Sequence, residues 1–315
     1  MSDYVFGKAT LESLSKLQDR LYFMEYKDDY KLDEFLKVGG EGDIGVHKFI
    51  EDNLLNGNKM DFNGPNMGCS TFSAELESGE KIYGRNFDEA ECGALVLVTK
   101  PEKGFASISM VNLSYIGIFP DKLPLDFDNS GSFLLATPYV PLDGVNEKGL
   151  AVGILKIKQT PTKQNRGKVK VNSTAAMRAV LDKCETVDEA IAMFDSLDMN
   201  SSANTDFHYH VSDRFGGSAV IEYIDSVMSV VRKECATNFL LTDGVEVGGG
   251  HDRFEKMDNK LKENGGVFQS MQEAMELLKE VSANSTRWSA MYNKTNPELV
   301  LSVFKDYGNL YTFKL

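Results

Sequence analysis

The sequence predicts a layered α+β fold preceded by a helical N-terminal segment. Short runs of strand character dominate from residue 69 onward, and helices interrupt them in pairs. That grouping fits layered α+β better than the regular alternation of βαβ units. The texture also changes once, at the polar, turn-rich stretch Asp61-Phe-Asn-Gly-Pro-Asn-Met-Gly68, which reads as a linker. Residues 1–68 and 69–315 are therefore treated as two regions.

In the first region, Leu11, Leu14, Leu17, Leu21 and Tyr22 fall at helical spacing and predict a helix over Thr10–Phe23. Tyr30–Leu36 and Val46–Leu55 predict two more, broken by Gly39-Gly40-Glu41-Gly42 and closed by Asn56-Gly57-Asn58. In the second region, Cys69–Glu75 and Lys81–Asn86 flank Ser78-Gly79-Glu80 as a hairpin. Strands follow at Leu95–Thr99, Phe105–Leu113, Phe133–Tyr139 and Leu150–Lys158. Helices are predicted over Thr174–Lys183 and Val187–Ser196, the second behind a Thr186/Glu189 capping box. Strands resume at Phe207–Ser212, Ser218–Tyr223, Val227–Arg232 and Cys235–Leu240. Helices over Arg253–Glu263 and Met271–Val281 precede closing strands at Ser289–Tyr292, Glu298–Phe304 and Tyr311–Leu315.

The chain has 315 residues, enough for a substantial core. Asp and Glu number 47 against 34 Lys and Arg, a formal charge of −13. This excess of acid argues against a phosphate-backbone binder and against adhesion to anionic membranes. The apolar runs, such as Ala94–Val98, are too short to span a bilayer, and the N-terminus lacks the basic and apolar regions of a secretory signal. Cys69, Cys92, Cys184 and Cys235 show no C-x-x-C spacing, so neither a zinc site nor a redox pair is indicated. The expectation is a cytoplasmic protein with free thiols.

Cys69 has the most suggestive setting, since it follows Gly68 where the strand-rich region begins. A free cysteine is most often a small buried hydrophobe. If the chain were cut between Gly68 and Cys69, however, Cys69 would carry both a thiol and a free α-amine. The amine's ordinary pKa, about 7.7–8.0, suits it to act as base for its own side chain. The hairpin returns Arg85 and Asp88 to the same neighbourhood. A guanidinium there favours thiolate, and a carboxylate can hold the new amine.

Residues 69–88, a cysteine followed by a hairpin and Gly84-Arg-Asn-Phe-Asp88, resemble the start of the choloylglycine hydrolase family. That family covers bile salt hydrolases and penicillin V acylases, and penicillin acyltransferases and acylethanolamine amidases are its relatives. Further matches follow in order: Asp143-Gly-Val-Asn-Glu-Lys-Gly-Leu150, the Phe207–Asn238 run containing His208, Ser212-Asp213, Glu222 and Thr237-Asn238, then Asp252-Arg253-Phe254 and Thr286-Arg-Trp-Ser289. The resemblance implies a four-layer αββα sandwich of the N-terminal-nucleophile hydrolase type. It also implies hydrolysis of linear, non-peptide amides through a Cys69 thioester, with no cofactor or metal. The implied site is Cys69, Arg85, Asp88, Lys156, Asn238 and Arg253. Asn238 would be the side-chain donor of the oxyanion hole. Lys156 stands where bile salt hydrolases carry Asn, so only its backbone N–H would contribute. The long segment before Cys69 resembles the acyltransferase and amidase branches, which mature by self-cleavage, and its helices are expected to cover the site beforehand.

Competing readings are an N-acyltransferase using the same site and a non-catalytic binding protein that keeps the fold. The expected partner is a small N-acyl amide, and a homo-oligomer is allowed. Other groups have simpler readings. Asn146 lies at a hairpin turn. His208 and His210 share a strand face but have no evident third metal ligand. Gly248-Gly249-Gly250 lacks the lysine of a phosphate loop. Met271, Met275 and Leu278 form a core stripe.

Overall fold

A computed structural model describes residues 5–59, 68–122 and 131–315. The first region forms α1 (Lys8–Leu11), β1 (Ser15–Gln18), β2 (Leu21–Tyr26), α2 (Leu32–Val38) and α3 (Gly42–Asn53). Then follow β3 (Gly68–Leu76), β4 (Lys81–Asp88), β5 (Ala94–Thr99), β6 (Ser107–Asn112), β7 (Asp143–Asn146), β8 (Ala151–Ile157) and β9 (Val169–Val171). After α4 (Ser173–Lys183) and α5 (Val187–Ser196) come β10 (Leu197–Met199), β11 (Asp206–Ser212), β12 (Ser218–Ile224), β13 (Val227–Val231), β14 (Cys235–Ala236), β15 (Asn238–Phe239) and β16 (Gly248–Gly249). The chain ends with α6 (His251–Glu263), β17 (Val267–Phe268), α7 (Met271–Glu280), β18 (Thr286–Asn293), β19 (Glu298–Val303) and β20 (Tyr311–Lys314).

Two sheets face each other. One has nine strands in the order β1-β2-β5-β6-β7-β8-β11-β12-β13; the other has seven, β14-β3-β4-β18-β19-β20 with β17 beside β3. Helices α4 and α5 pack on the first sheet and α6 and α7 on the second, giving the four-layer αββα sandwich. Alternation along β3 serves both faces of its sheet. Thr71 and Ser73 reach across to His210 and Ser212 of β11, while Phe72 joins the apolar cluster under α6 and α7. The Met275 and Leu278 stripe of α7 lies in that second cluster, as its spacing implies.

Three elements differ from the sequence expectation. The helix over Thr10–Phe23 is replaced by the short α1 and a β1–β2 hairpin. Leu-Tyr-Phe-Met-Glu-Tyr is a good strand sequence, and β2 pairs parallel to β5, burying Leu21, Tyr22, Met24 and Tyr26. Long-range pairing overrides the helical spacing. Phe133–Tyr139 is not a strand but part of a run of 3-10 turns over Gly131–Tyr139. A short apolar run has no periodicity to separate these outcomes. The strand expected over Cys235–Leu240 divides at Thr237: β14 pairs with β3 and β15 with β16. The Asp61–Met67 part of the expected linker lies outside the described residues. Among the described residues, no helix is long and apolar enough to cross a membrane.

Candidate active site

Cys69 is fully buried, one residue into β3. Its backbone N–H donates to Asn238 Oδ1 at 2.6 Å. Asn238 Nδ2 donates to the Lys156 carbonyl at 2.9 Å, so this one amide ties β3, β8 and β15 together. Arg253 enters from the first turn of α6. Its Nη1 donates to Asp88 Oδ2 at 2.5 Å, and its Nη2 donates to the Cys69 carbonyl and to Asn238 Oδ1, each at 3.2 Å. Asp88, at the end of β4, also accepts from Thr286 Oγ1 at 2.5 Å. It lies against Gly68: a methyl at position 68 would stand 3.2 Å from Asp88 Oδ2 and 3.7 Å from Arg253 Nη2. A side chain there would press on the Asp88 carboxylate.

Arg85 is fully buried between the sheets, and its Nε donates to Asp143 Oδ2 at 3.4 Å. Burial pushes the Cys69 thiol up to about 11; Arg85 opposes this most, Asp88 adds to it, and Arg253 and a backbone hydrogen bond from Asp88 pull it down. The thiol is therefore largely protonated at neutral pH.

The geometry thus brings together Cys69, Asp88, Asn238 and Arg253 by direct contact, Lys156 through its carbonyl, and Arg85 through its charge. Lys156 meets Asn238 through its C=O, whereas its N–H is the group expected to serve the oxyanion.

Several neighbours carry roles that pattern alone did not reveal. His208 Nδ1 pairs with Glu222 at 3.0 Å and its Nε2 with the Thr237 carbonyl at 2.6 Å. Glu222 also accepts from the backbone of Leu241 at 2.7 Å and Thr242 at 3.0 Å. The pair therefore clamps the chain on both sides of Asn238. His210 is held by Thr71 at 2.8 Å and Ser218 at 2.9 Å. Both nitrogens of each ring are taken by protein groups.

The triple glycine positions the same asparagine. Gly248 has φ +106, and a methyl there would meet the Asn238 carbonyl at 2.0 Å. Gly250, at φ +90, starts α6 and so places Arg253. Asn146 is structural, as its turn position implies: Nδ2 donates to Leu181 O at 2.9 Å and Cys184 O at 2.7 Å, while Oδ1 accepts from Lys148 N at 3.1 Å and Leu150 N at 3.0 Å. Thr286-Arg-Trp-Ser289 contacts Asp88, the backbone of Glu89 and Ala90, Asp143 and Asn86 in turn.

Known proteins share this architecture. The family model described as acyl-coenzyme A:6-aminopenicillanic acid acyl-transferase matches residues 139–313. A variant of the conjugated bile acid hydrolase from Clostridium perfringens superposes with a TM-score of 0.57 at 16% identity, over 78% of this chain and 92% of that one. The penicillin V acylase from Agrobacterium tumefaciens gives 0.54 at 15% identity, over 78% and 86%. At such identities the two structures establish a common fold. No curated protein matches the chain.

Proposed function

The chain belongs to the acyl-coenzyme A:6-aminopenicillanic acid acyl-transferase family, and from that premise we propose that it is a cysteine amidohydrolase of the N-terminal-nucleophile type that cleaves linear N-acyl amides through Cys69. The observation that carries this reading is the convergence of Asn238, Asp88 and Arg253 on the Gly68–Cys69 junction.

Maturation begins with attack of Cys69 Sγ on the Gly68 carbonyl carbon. The C–N bond breaks, the nitrogen takes up a proton, and a thioester joins Gly68 to Cys69. Water then releases the Gly68 carboxylate and the free thiol. The new α-amine lies where the Cys69 N–H now meets Asn238 Oδ1, close to Asp88. In turnover it accepts the thiol proton and returns it to the leaving amine. An asparagine amide has two N–H donors. One engages Lys156 O, and the other serves the oxyanion of the tetrahedral intermediate. Lys156 thus acts by orienting Asn238. Arg85 favours the thiolate.

The decisive experiment combines intact mass with substrate screening. The expected products are residues 1–68 and 69–315, with a single uncut chain in Cys69→Ala. Processing of Cys69→Ala at the same bond would assign the cut to another protease. Purified protein is then offered glycine-conjugated bile salts, penicillin V, N-acyl amino acids and N-acyl ethanolamines, with and without an acceptor amine. Free acid as the main product in both cases supports hydrolysis; capture by the amine supports the transferase reading, which the family's description favours.

A further inference from the structure

We propose that Asp143 is a positioning residue for Arg85, holding the guanidinium so that its two Nη groups serve the Cys69 thiol. This rests on the reading of Cys69 as nucleophile. Asp143 opens the Asp-Gly-Val-Asn-Glu-Lys-Gly segment, which has no other part in the proposed chemistry.

Asp143 and Arg85 are both fully buried between the sheets. The Asp143 carboxylate accepts from three donors: Arg85 Nε at 3.4 Å and Trp288 Nε1 at 3.0 Å on Oδ2, and the Tyr292 hydroxyl on Oδ1. Trp288 is itself fixed, stacked on Phe87 at 3.9 Å with 14° between the rings. The Asp143 backbone is paired to Met110 on one side and to Gly153 on the other. The carboxylate therefore has little freedom.

Arg85 meets this anchor only through Nε. Its Nη1 and Nη2 are buried and have no hydrogen-bond partner among the described residues. Because the guanidinium is planar, fixing Nε at a rigid acceptor also fixes the directions of both Nη groups. A buried guanidinium with unmet donors is costly unless an anion meets it. In the β3–β4 ladder Arg85 stands opposite Thr71 and Phe87 opposite Cys69, so by strand alternation Arg85 and Cys69 lie on the same face of the sheet as diagonal neighbours.

A purely structural role for Asp143 and a positioning role predict opposite signs. Removing a negative charge near a thiol, with nothing else changed, favours thiolate and moves its titration to lower pH. Releasing Arg85 from its orientation removes the main opposing pull and moves the titration to higher pH. The test is thiolate absorbance at 240 nm on the full chain between pH 9 and 12.5, each protein referenced to its own Cys69→Ser counterpart, with near-ultraviolet circular dichroism confirming the fold at each pH. Arg85→Met and Asp143→Asn are each expected to raise the midpoint by about one unit, a tenfold loss of thiolate at fixed pH. The double variant should go no further than Arg85→Met alone. Trp288→Phe, which keeps the ring but removes a donor to Asp143, should move the midpoint less and in the same direction. It carries the test if Asp143→Asn does not fold. A downward shift, an unchanged midpoint, or additive effects in the double variant would overturn the proposal. The readout needs no substrate, so failure to cleave any amide would count against the proposed reaction without touching this assignment.

Discussion

At the residue scale, Asn238 is the most exposed to test. Its side chain joins Cys69, Arg253 and Lys156. Asn238→Ala should lower kcat by about 10²–10³-fold, the usual cost of one oxyanion donor, with a smaller change in KM. Steady-state kinetics on the best screened amide checks this, and an unchanged kcat would remove Asn238 from the oxyanion hole. The thiol makes a second prediction. With the Cys69 thiol at about 11 in the uncut chain, the thiolate fraction rises nearly tenfold per pH unit across pH 7–9. Self-cleavage, followed by intact mass, should accelerate in step; a flat rate would mean that thiolate formation does not limit it.

Lys294 extends the residue scale to stability. It is fully buried, donating to Ser73 Oγ at 2.9 Å and to Ser212 Oγ. Burial lowers its pKa from 10.5 to about 7, with Lys81 adding and Asp213 opposing. Between those values the unfolded chain binds more protons than the folded one. Stability should therefore rise with pH across this window, and the burial penalty should be fully present below about 7. Lys294→Met should melt higher at pH 7 and show a flatter dependence of Tm on pH between about 7 and 10.

At the element scale, the break at Thr237 matters most. A continuous strand over Cys235–Leu240 would keep residue 238 in the sheet ladder. Instead β14 stays with β3 while β15 pairs with β16, and Asn238 reaches Cys69, Lys156 and Arg253. Gly248 is the element's weak point because it combines positive φ with backbone contact. Gly248→Ala should lose about 1–3 kcal/mol of stability from strain. It should lose activity more steeply, because the shifted β15 carries Asn238. Denaturant melts beside kcat separate the two effects, and activity that falls only in proportion to folded protein would deny β16 a role in placing Asn238.

For the whole molecule, the segment before Cys69 is part of the main sheet. Beyond the β2–β5 pairing, the Tyr30 hydroxyl donates to Asp182 at 2.5 Å, Phe23 stacks on Phe313 at 5.6 Å, and the Tyr311 hydroxyl donates to Gln18 at 2.9 Å. Strands β1 and β2, where a helix is expected, thus form an edge of the main sheet, and the segment's buried apolar residues join the common core. Cleavage at Gly68 should leave the two chains associated, which native mass spectrometry or co-elution on gel filtration would show. A chain begun at Cys69 should aggregate or fold poorly, because it would expose β5 as an apolar edge. Clean dissociation with retained activity would contradict this.

The sequence by itself determined the β3–β4 hairpin that brings Arg85 and Asp88 back toward Cys69, and the α4–α5 and α6–α7 pairs. Those features rest on local pattern: two-residue alternation, turn glycines and caps such as Thr186. The ordered motifs carried the family resemblance as well. Tertiary structure alone decided the strand fate of Leu21–Tyr26, the break at Thr237, and the contacts of Asp143, His208 and Glu222. Each depends on a partner far along the chain: Trp288 for Asp143, Thr237 for His208, Leu241 for Glu222, and β5 for β2. Local spacing reports how a segment can bury its own apolar side, whereas the choice between helix and strand, and the job of a buried polar group, is made by the surface that receives it.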